Sequence, residues 1–161
     1  MDITLDAFDK AIINALQEDS SISNLELSKM IGLSPSACLA RTKNLKEQGV
    51  IQHYTVFVDE KRIGIELIAF TMVNLSPLNR EIANNFLATI NEIPNVLECY
   101  TVTGSRDFLL KVVAKDISSF RDFIIDTIMA IPGVDKVETN IVMNTDKRTL
   151  TIPLDLDQGS Q

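Results

Sequence analysis

Three cations clustered within residues 34–46 are the first group in this sequence with an evident chemical use. Arg41, Lys43 and Lys46 lie there with no acidic residue among them. Lysine and arginine neutralise backbone phosphates, and arginine also hydrogen-bonds guanine edges. The whole chain has a net charge of −7, but most of that excess lies after residue 64, where 13 Asp and Glu outnumber 8 Lys and Arg. The local positive charge of residues 34–46 therefore indicates nucleic-acid binding, although the net charge of the whole chain does not.

No set of residues suited to catalysis or metal binding stands out. The chain has no Ser/His/Asp combination and no phosphate-cradling glycine loop, and its single histidine, His53, fits a surface or packing role. Cys38 and Cys99 lack a CxxC neighbour and occupy apolar positions, which predicts buried free thiols. Asp122 and Asp126, four residues apart, fit a solvated helical face. We therefore expect neither an enzyme nor a bound metal or other cofactor.

The cations belong to the last of three predicted helices. Asp6 is expected to cap the first helix, and Ser23 with Glu26 forms a capping box for the second, which ends at Gly32. Ser34-Pro35 then begins the third, because serine caps helices and proline is tolerated at the first helical position. Two short helices joined by a glycine turn are typical of a helix-turn-helix, although these signals alone also fit an ordinary αα-corner. The predicted core positions are Leu5, Phe8, Ile12, Ile13 and Leu16, then Leu25, Leu27, Met30 and Ile31, then Cys38, Thr42 and Leu45.

The pattern changes after Gly49. Residues 50–58 are rich in β-branched side chains and predict a short ribbon or wing beside the third helix. The charged residues 59–62 lead to Gly64, where we place the domain boundary. The first domain is therefore predicted to span residues 1–64.

The second half contains an internal repeat. Ile93-Pro94-Asn95-Val96 recurs as Ile131-Pro132-Gly133-Val134, and each copy follows an apolar helical stripe and precedes a strand. Strands are predicted at 65–75, 96–103, 108–114 and 137–144, with helices at 80–92 and 118–130. This βαββαβ order is the ferredoxin-like arrangement. The predicted fold class is therefore α+β, a winged helix-turn-helix followed by a ferredoxin-like domain of residues 65–154, with a disordered tail at 155–161.

The first predicted strand of this domain is apolar on both faces. Ile65, Leu67, Ala69 and Val73 alternate with Ile68, Phe70 and Met72. Residues 108–113 repeat the pattern. Because the two helices can cover only one face of the sheet, the other face is expected to pack against a second subunit. We therefore predict a homodimer.

A helix-turn-helix followed by βαββαβ resembles the Lrp/AsnC, or feast/famine, family of transcriptional regulators. The resemblance covers residues 5–153. It depends on Leu5-Asp6, Ser21-Ile22-Ser23-Asn24, Gly32-Leu33-Ser34-Pro35, Leu45 through Gly49-Val50-Ile51, Val102-Thr103-Gly104-Ser105-Arg106-Asp107 and Pro132-Gly133-Val134, all in order.

The resemblance implies that residues 35–48 are a recognition helix for double-stranded DNA. The implied contact residues are Ser34, Ser36, Ala37, Arg41, Lys43 and Lys46. The serines would donate to phosphate near the helix N-terminus. Arg41 or Lys43 would read guanine edges or hold phosphates, and Lys46 would contact phosphate. Because this helix is less basic than in some relatives, several half-sites bound at once are expected to supply affinity.

The resemblance also implies that the second domain senses a small effector, an amino acid. The implied effector residues are Thr103, Gly104, Ser105, Arg106, Asp107 and Ile141. Gly104, Ser105 and Arg106 would hold the carboxylate, and Asp107 the ammonium. Without the family, the same stretch is typical of a glycine hairpin turn. In relatives this pocket lies between dimers that assemble into octamers, so the effector would alter assembly, DNA affinity or both.

Two other functions stay open at this point. One is a ligand-binding regulator that acts through protein partners, and the other is an enzyme built on the ferredoxin-like half. A mobility shift with genomic DNA fragments would separate the first of these from a DNA-binding regulator. The longest uncharged apolar runs, such as residues 67–73, are far shorter than the ~18 residues of a membrane span. No secretory signal follows Met1, so we expect a cytoplasmic protein without membrane contact.

Overall fold

The computed structural model describes residues 3–154. The chain divides into two compact units. One unit contains the chain up to Phe57 and takes up again at Lys147, and the other spans Val58–Asp146. The predicted tail, residues 155–161, lies outside the described residues.

This division differs from the predicted one because residues 147–154 return to the first unit. Leu154 packs against the core of that unit. The side-chain amide of Gln17 forms two hydrogen bonds with the backbone of Ile152. Gln17 Nε2 donates to the Ile152 carbonyl at 3.1 Å, and the Ile152 N–H donates to Gln17 Oε1 at 2.7 Å. The boundary also falls at Phe57, ahead of the predicted Gly64. Contacts between residues so far apart in sequence leave no local pattern from which to predict them.

The first unit is built on three helices, α1 (Ala7–Glu18), α2 (Asn24–Ile31) and α3 (Pro35–Glu47). The predicted caps are confirmed. Asp6 and Ser23 each form a capping box, and the Ser34 side chain accepts a hydrogen bond from the Ala37 N–H. Gly32 ends α2 in the left-handed conformation, with φ of 78°.

The core of this unit is narrower than predicted. Its buried apolar residues are Ile12, Ile13, Leu27, Cys38 and Leu45. Phe8, Leu25 and Met30, which were predicted to face inward, are exposed. The eight-residue α2 buries only a narrow arc, Leu27 and Ser28, and leaves Met30 outside it. Ser28 is tolerated there because its hydroxyl donates to the Leu25 carbonyl at 2.8 Å.

The residues predicted as a wing contain no strand. Residues 50–58 have irregular backbone. The N–H groups of Val50 and Ile51 donate to the Leu45 carbonyl and close the end of α3. A ribbon needs a partner strand, and within residues 3–154 none pairs with this segment. Val56 and Phe57 are consequently exposed.

The second unit contains four strands and two helices. They are β1 (Leu67–Leu75), α4 (Arg80–Asn91), β2 (Val96–Thr101), β3 (Phe108–Ala114), α5 (Ile117–Phe123, continued by a π-helical turn at Ile124–Ile128) and β4 (Val134–Ile141). The sheet order is β2-β3-β1-β4 with every pair antiparallel, which confirms the ferredoxin-like βαββαβ fold. The largest difference from prediction is β4, which lies three residues earlier because its pairing with β1 begins at Val134.

The two faces of this sheet are unequally covered. On one face Leu67, Ala69, Val73 and Leu75 of β1 are buried in a core shared with α4, α5 and β3. The other face carries Ile68 and Met72, which are half-buried, and Phe70, which is 36% exposed. The apolar alternation predicted for β1 is therefore present, and its second side is only partly covered.

Candidate DNA-binding surface and effector loop

The helix-turn-helix is held at its turn by backbone and side-chain hydrogen bonds. The Leu33 N–H donates to the Ser28 carbonyl at 2.9 Å. The side-chain amide of Asn24, at the start of α2, donates to the carbonyl of Pro35, at the start of α3, at 2.9 Å. These bonds fix the direction in which α3 leaves α2.

Arg41, one of the predicted DNA contacts, lies where α3 packs against α1, and 35% of its side chain is exposed. Its Nη1 donates to Asp6 Oδ2 at 2.7 Å and to Asp9 Oδ1 at 2.8 Å. Its guanidinium also lies over the Phe8 ring, 5.4 Å from the centroid. The hydrogen bonds that Arg41 donates to Asp9 and Asp6 raise the pKa of Arg41, and the Asp9 N–H, with Arg41 as a smaller cause, lowers the pKa of Asp6. Both acids lie more than thirty residues away in sequence, so the residue pattern of α3 could not reveal this pairing.

One face of α3 is open to solvent. Ser36, Leu39, Ala40 and Lys43 follow the three- and four-residue spacing of one helical face, and all are exposed. Leu39, at its centre, is 57% exposed. Lys43 Nζ lies 3.5 Å from Glu47 Oε1 in a solvent-exposed pair. The predicted DNA-contact residues did not include Leu39, although an exposed leucine at the centre of this helix face is a signal for a binding surface.

The remaining predicted DNA residues lie at the two ends of α3. The Ser34 and Ser36 hydroxyls are 3.2 Å apart near its N-terminus. Ala37 is half-buried. Lys46 is near the C-terminus, with Nζ 4.2 Å from the centroid of the Tyr54 ring.

Residues 103–107 form the loop between β2 and β3, as predicted. Thr103, Gly104 and Ser105 are exposed at its tip. The Val102 N–H donates to the Asp107 carbonyl at 3.0 Å and closes the hairpin. Residues 103–107 thus form the hairpin turn that the residue types predicted, in the same segment that the resemblance implies as an effector loop.

Asp107 anchors this loop to the end of β1. Its N–H donates to the Val73 carbonyl at 3.1 Å. Its carboxylate oxygen Oδ2 accepts the Leu75 N–H at 2.8 Å. Asp107 therefore already performs a structural role in this chain.

The side chain of Arg106 contacts two residues outside the loop, Asn74 of β1 and Glu138 of β4. Its Nη1 donates to Asn74 Oδ1 at 3.0 Å, and its Nη2 forms an ion pair with the Glu138 carboxylate. Asn74 in turn donates to the Ser105 carbonyl at 3.0 Å. The pattern within 103–107 did not indicate Asn74 or Glu138, because their proximity depends on the pairing of β4 with β1.

Ile141 does not lie at the loop. In β4, Glu138 pairs with Met72 whereas Ile141 pairs with Ala69. Three residues of strand separate them by about 10 Å, and the odd spacing places their side chains on opposite faces. The resemblance implied Ile141 as an effector residue, and the register of β4 on β1 places it away from the loop.

The sequence also led to expectations about metal sites, membrane spans and the two cysteines. Among the described residues, no group of three or more His, Cys, Asp and Glu side chains could hold a metal ion. In the same part of the chain, no helix is long and apolar enough to cross a membrane. Both cysteines are free; Cys38 is buried and Cys99 half-buried, and burial raises the pKa of the Cys99 thiol.

Both units match known families. Residues 5–52 match the winged helix-turn-helix DNA-binding family, and residues 68–152 match the Lrp/AsnC ligand binding domain. The chain is 61% identical over 155 residues to the transcriptional regulator AzlB of Bacillus subtilis (strain 168), covering 96% of this chain and 99% of that protein. It is 37% identical over 145 residues to the leucine-responsive regulatory protein of Salmonella typhimurium, covering 90% and 88%.

A solved structure is similar along nearly the whole length of the chain. It is a transcriptional regulator from Neisseria meningitidis in complex with L-Met. The TM-score is 0.91 at 33% identity, with 94% of this chain and 98% of that chain covered.

Proposed function

Because the chain belongs to the Lrp/AsnC family of transcriptional regulators, we propose that the open face of α3 reads operator DNA under the control of an amino acid bound at residues 103–107. The observation that carries the DNA part is the exposed row on α3, centred on Leu39. The observation that carries the effector part is the convergence of Arg106, Asn74 and Glu138 at the loop.

The α3 surface suits readout by shape and apolar contact. Leu39 and Ala40 offer apolar groups to thymine methyls in the major groove. Lys43, with Ser34 and Ser36 at the helix N-terminus, supplies donors for phosphates. Arg41 acts as a positioning residue, because its bonds to Asp6 and Asp9 hold α3 against α1.

Binding to DNA is expected to weaken steeply with salt. Fluorescence anisotropy with the region upstream of the gene for this chain should give a linear fall of log affinity with log salt concentration. Lys43→Gln should reduce that slope by about 1 per bound subunit, because it removes one phosphate contact. Lys115→Gln, an exposed lysine of the second unit, should leave the slope unchanged. Salt-independent binding would contradict the proposal, and absence of binding to genomic fragments would favour a regulator acting through protein partners.

The effector is proposed to be a free amino acid. The similar Neisseria regulator was solved with L-Met, and in this chain the guanidinium of Arg106 in the loop lies beside the carboxylate of Glu138 in β4. Neither a metal nor another cofactor is needed for such binding. Calorimetry showing no heat with any common amino acid would contradict this part.

A second copy of this chain is proposed to cover the partly exposed face of the sheet. The apolar residues of this face are Ile68, Phe70 and Met72 of β1 with Leu109 and Val113 of β3. A tetramer of dimers is the larger assembly proposed, which would bring several helix-turn-helix units to one operator. A regulator of this kind works in the cytoplasm, with the DNA.

Phe70→Lys is expected to shift the chain from dimer to monomer. The new ammonium would lie opposite Lys111 on β3, and two like charges would be buried in the proposed interface. Leu78→Lys, at an exposed leucine outside the sheet, is the matched control and should remain associated. Sedimentation velocity at micromolar concentration measures the change, with circular dichroism to check folding. A wild-type chain that sediments as a monomer would contradict the dimer.

A further inference from the structure

We infer that the Arg106–Glu138 ion pair is the receptor for the two charged groups of the amino-acid effector. Arg106 takes its carboxylate and Glu138 takes its ammonium. This inference rests on the proposed function and deepens it. It also moves the ammonium from Asp107, the candidate that the sequence suggested, to a residue of β4.

Asp107 is held in one orientation by its carboxylate. Oδ2 accepts the N–H of Leu75 at 2.8 Å, and Leu75 is buried. Turning the carboxylate away would leave that N–H without a partner, which is unfavourable. The backbone of Asp107 also bonds to Val73 and Val102. Asp107 therefore closes the loop and has only Oδ1 left for a further contact, whereas the Glu138 carboxylate lies directly against the guanidinium of Arg106.

Arg106 is already oriented for a carboxylate. Asn74 Oδ1 holds Nη1, and Asn74 is itself held by its bond to the Ser105 carbonyl. A guanidinium has five N–H donors, so Nη2 and Nε can serve a ligand while Nη1 stays in place. Fixing the fork in this way reduces the entropy lost when a carboxylate binds.

Glu138 is the acid that faces this guanidinium. Its carboxylate pairs with Nη2, and the side chains of Arg106 and Glu138 are 27% and 53% exposed. In a single subunit a ligand from solvent can therefore reach both, and because β4 is an edge strand, Glu138 lies at the margin of the face proposed to be covered by a second copy. An ion pair with this exposure contributes little to folding, so exchanging its partners for those of a ligand is a small loss.

A free amino acid can replace both partners at once. Its carboxylate takes the place of Glu138 on Arg106, and its ammonium takes the place of Arg106 on Glu138, so every charge keeps an opposite charge. A simple carboxylic acid would satisfy Arg106 but leave Glu138 without a partner. The α-amino group is therefore required because Glu138 is present.

Calorimetry on the full chain can test this assignment with four small molecules. The amino acids are L-leucine and L-methionine, and each is compared with the acid that lacks its amino group, 4-methylpentanoate and 4-(methylsulfanyl)butanoate. Wild type should prefer the amino acid. In Glu138→Gln the affinity for the amino acid should fall about tenfold or more. The affinity for the amine-free acid should be retained or should rise, because Arg106 is released. A merely structural role for Glu138 would weaken both ligands alike.

Asp135→Asn is the matched control. It removes one negative charge from an exposed residue of β4 outside the loop, so the preference for the amino acid should be unchanged. Arg106→Gln should weaken all four ligands, since all carry a carboxylate. The inference is overturned if Glu138→Gln keeps the wild-type preference or if Asp135→Asn loses it. Failure of wild type to bind either amino acid would instead count against the proposed effector class.

Discussion

Replacing Leu39 with glutamate is expected to reduce operator affinity by about a hundredfold or more. The substitution removes an apolar side chain from the centre of the α3 surface, and it introduces a negative charge where phosphates and base edges would lie. Like charges placed opposite each other in an interface lose several kcal/mol, and a dimer carries the change twice. Fluorescence anisotropy with an operator fragment at fixed salt measures the loss.

The fold should survive this change. Leu39 is 57% exposed, and glutamate is a good helix former. Leu78→Glu makes the same chemical change at an exposed leucine of the second unit and controls for the added negative charge; it should bind DNA like wild type. If Leu39→Glu also binds like wild type, the recognition surface lies elsewhere on the first unit.

The helix-turn-helix could be predicted because its signals are local. Ser23 with Glu26, Gly32, and Ser34 with Pro35 each act within one helical turn, and all take their predicted places. Arg41 could not be assigned in the same way. Its ion pairs depend on how α1 packs against α3, and the sequence of α3 alone shows only an arginine among other cations.

The second unit shows the same limit at the level of strand register. Its βαββαβ order followed from the repeat and from alternation. Glu138 was not among the predicted residues, and Ile141 lies away from the loop, because the register of β4 on β1 decides which residue reaches the loop. The return of the chain at Ile152 to Gln17 of α1 had no local signal either.

Gly133→Ala is expected to destabilise the second unit by about 3 kcal/mol, as the sum of two effects. Gly133 has φ of 92°, a conformation that strains any residue with a side chain. A Cβ at this position would also lie 2.3 Å from Cγ2 of Ile82 on α4. That methyl cannot turn away easily, because a β-branched side chain has few χ1 rotamers. Overpacking of this kind costs about 1–3 kcal/mol. Urea unfolding followed by circular dichroism measures the loss.

Two further variants separate strain from overpacking. Gly64→Ala, in the same unit, has φ of 82° but nothing within 4 Å of the added Cβ, so it should lose only about 1 kcal/mol. Ile82→Ala removes the clashing methyl, and in that background Gly133→Ala should lose about as little as Gly64→Ala. Equal losses for Gly133→Ala and Gly64→Ala in the wild-type background would show that α4 yields to the new methyl.

The Gly133 turn also bears on the effector, because β4 begins at the next residue and carries Glu138. The Gly133 carbonyl accepts the N–H of Ser76 at 2.8 Å. Ser76 directly follows Leu75, the last residue of β1, whose N–H donates to the Asp107 carboxylate. In the repeat, Asn95 corresponds to Gly133 and was predicted to form the same turn. Among the described residues no non-glycine residue has a positive φ, so Asn95 does not adopt the backbone conformation of Gly133. Only the second copy of the turn therefore requires glycine. If Gly133→Ala shifts the start of β4, it should weaken L-leucine binding as well as stability, whereas Gly64→Ala should leave binding intact. Unchanged binding in Gly133→Ala would mean that the strain is absorbed before it reaches Glu138.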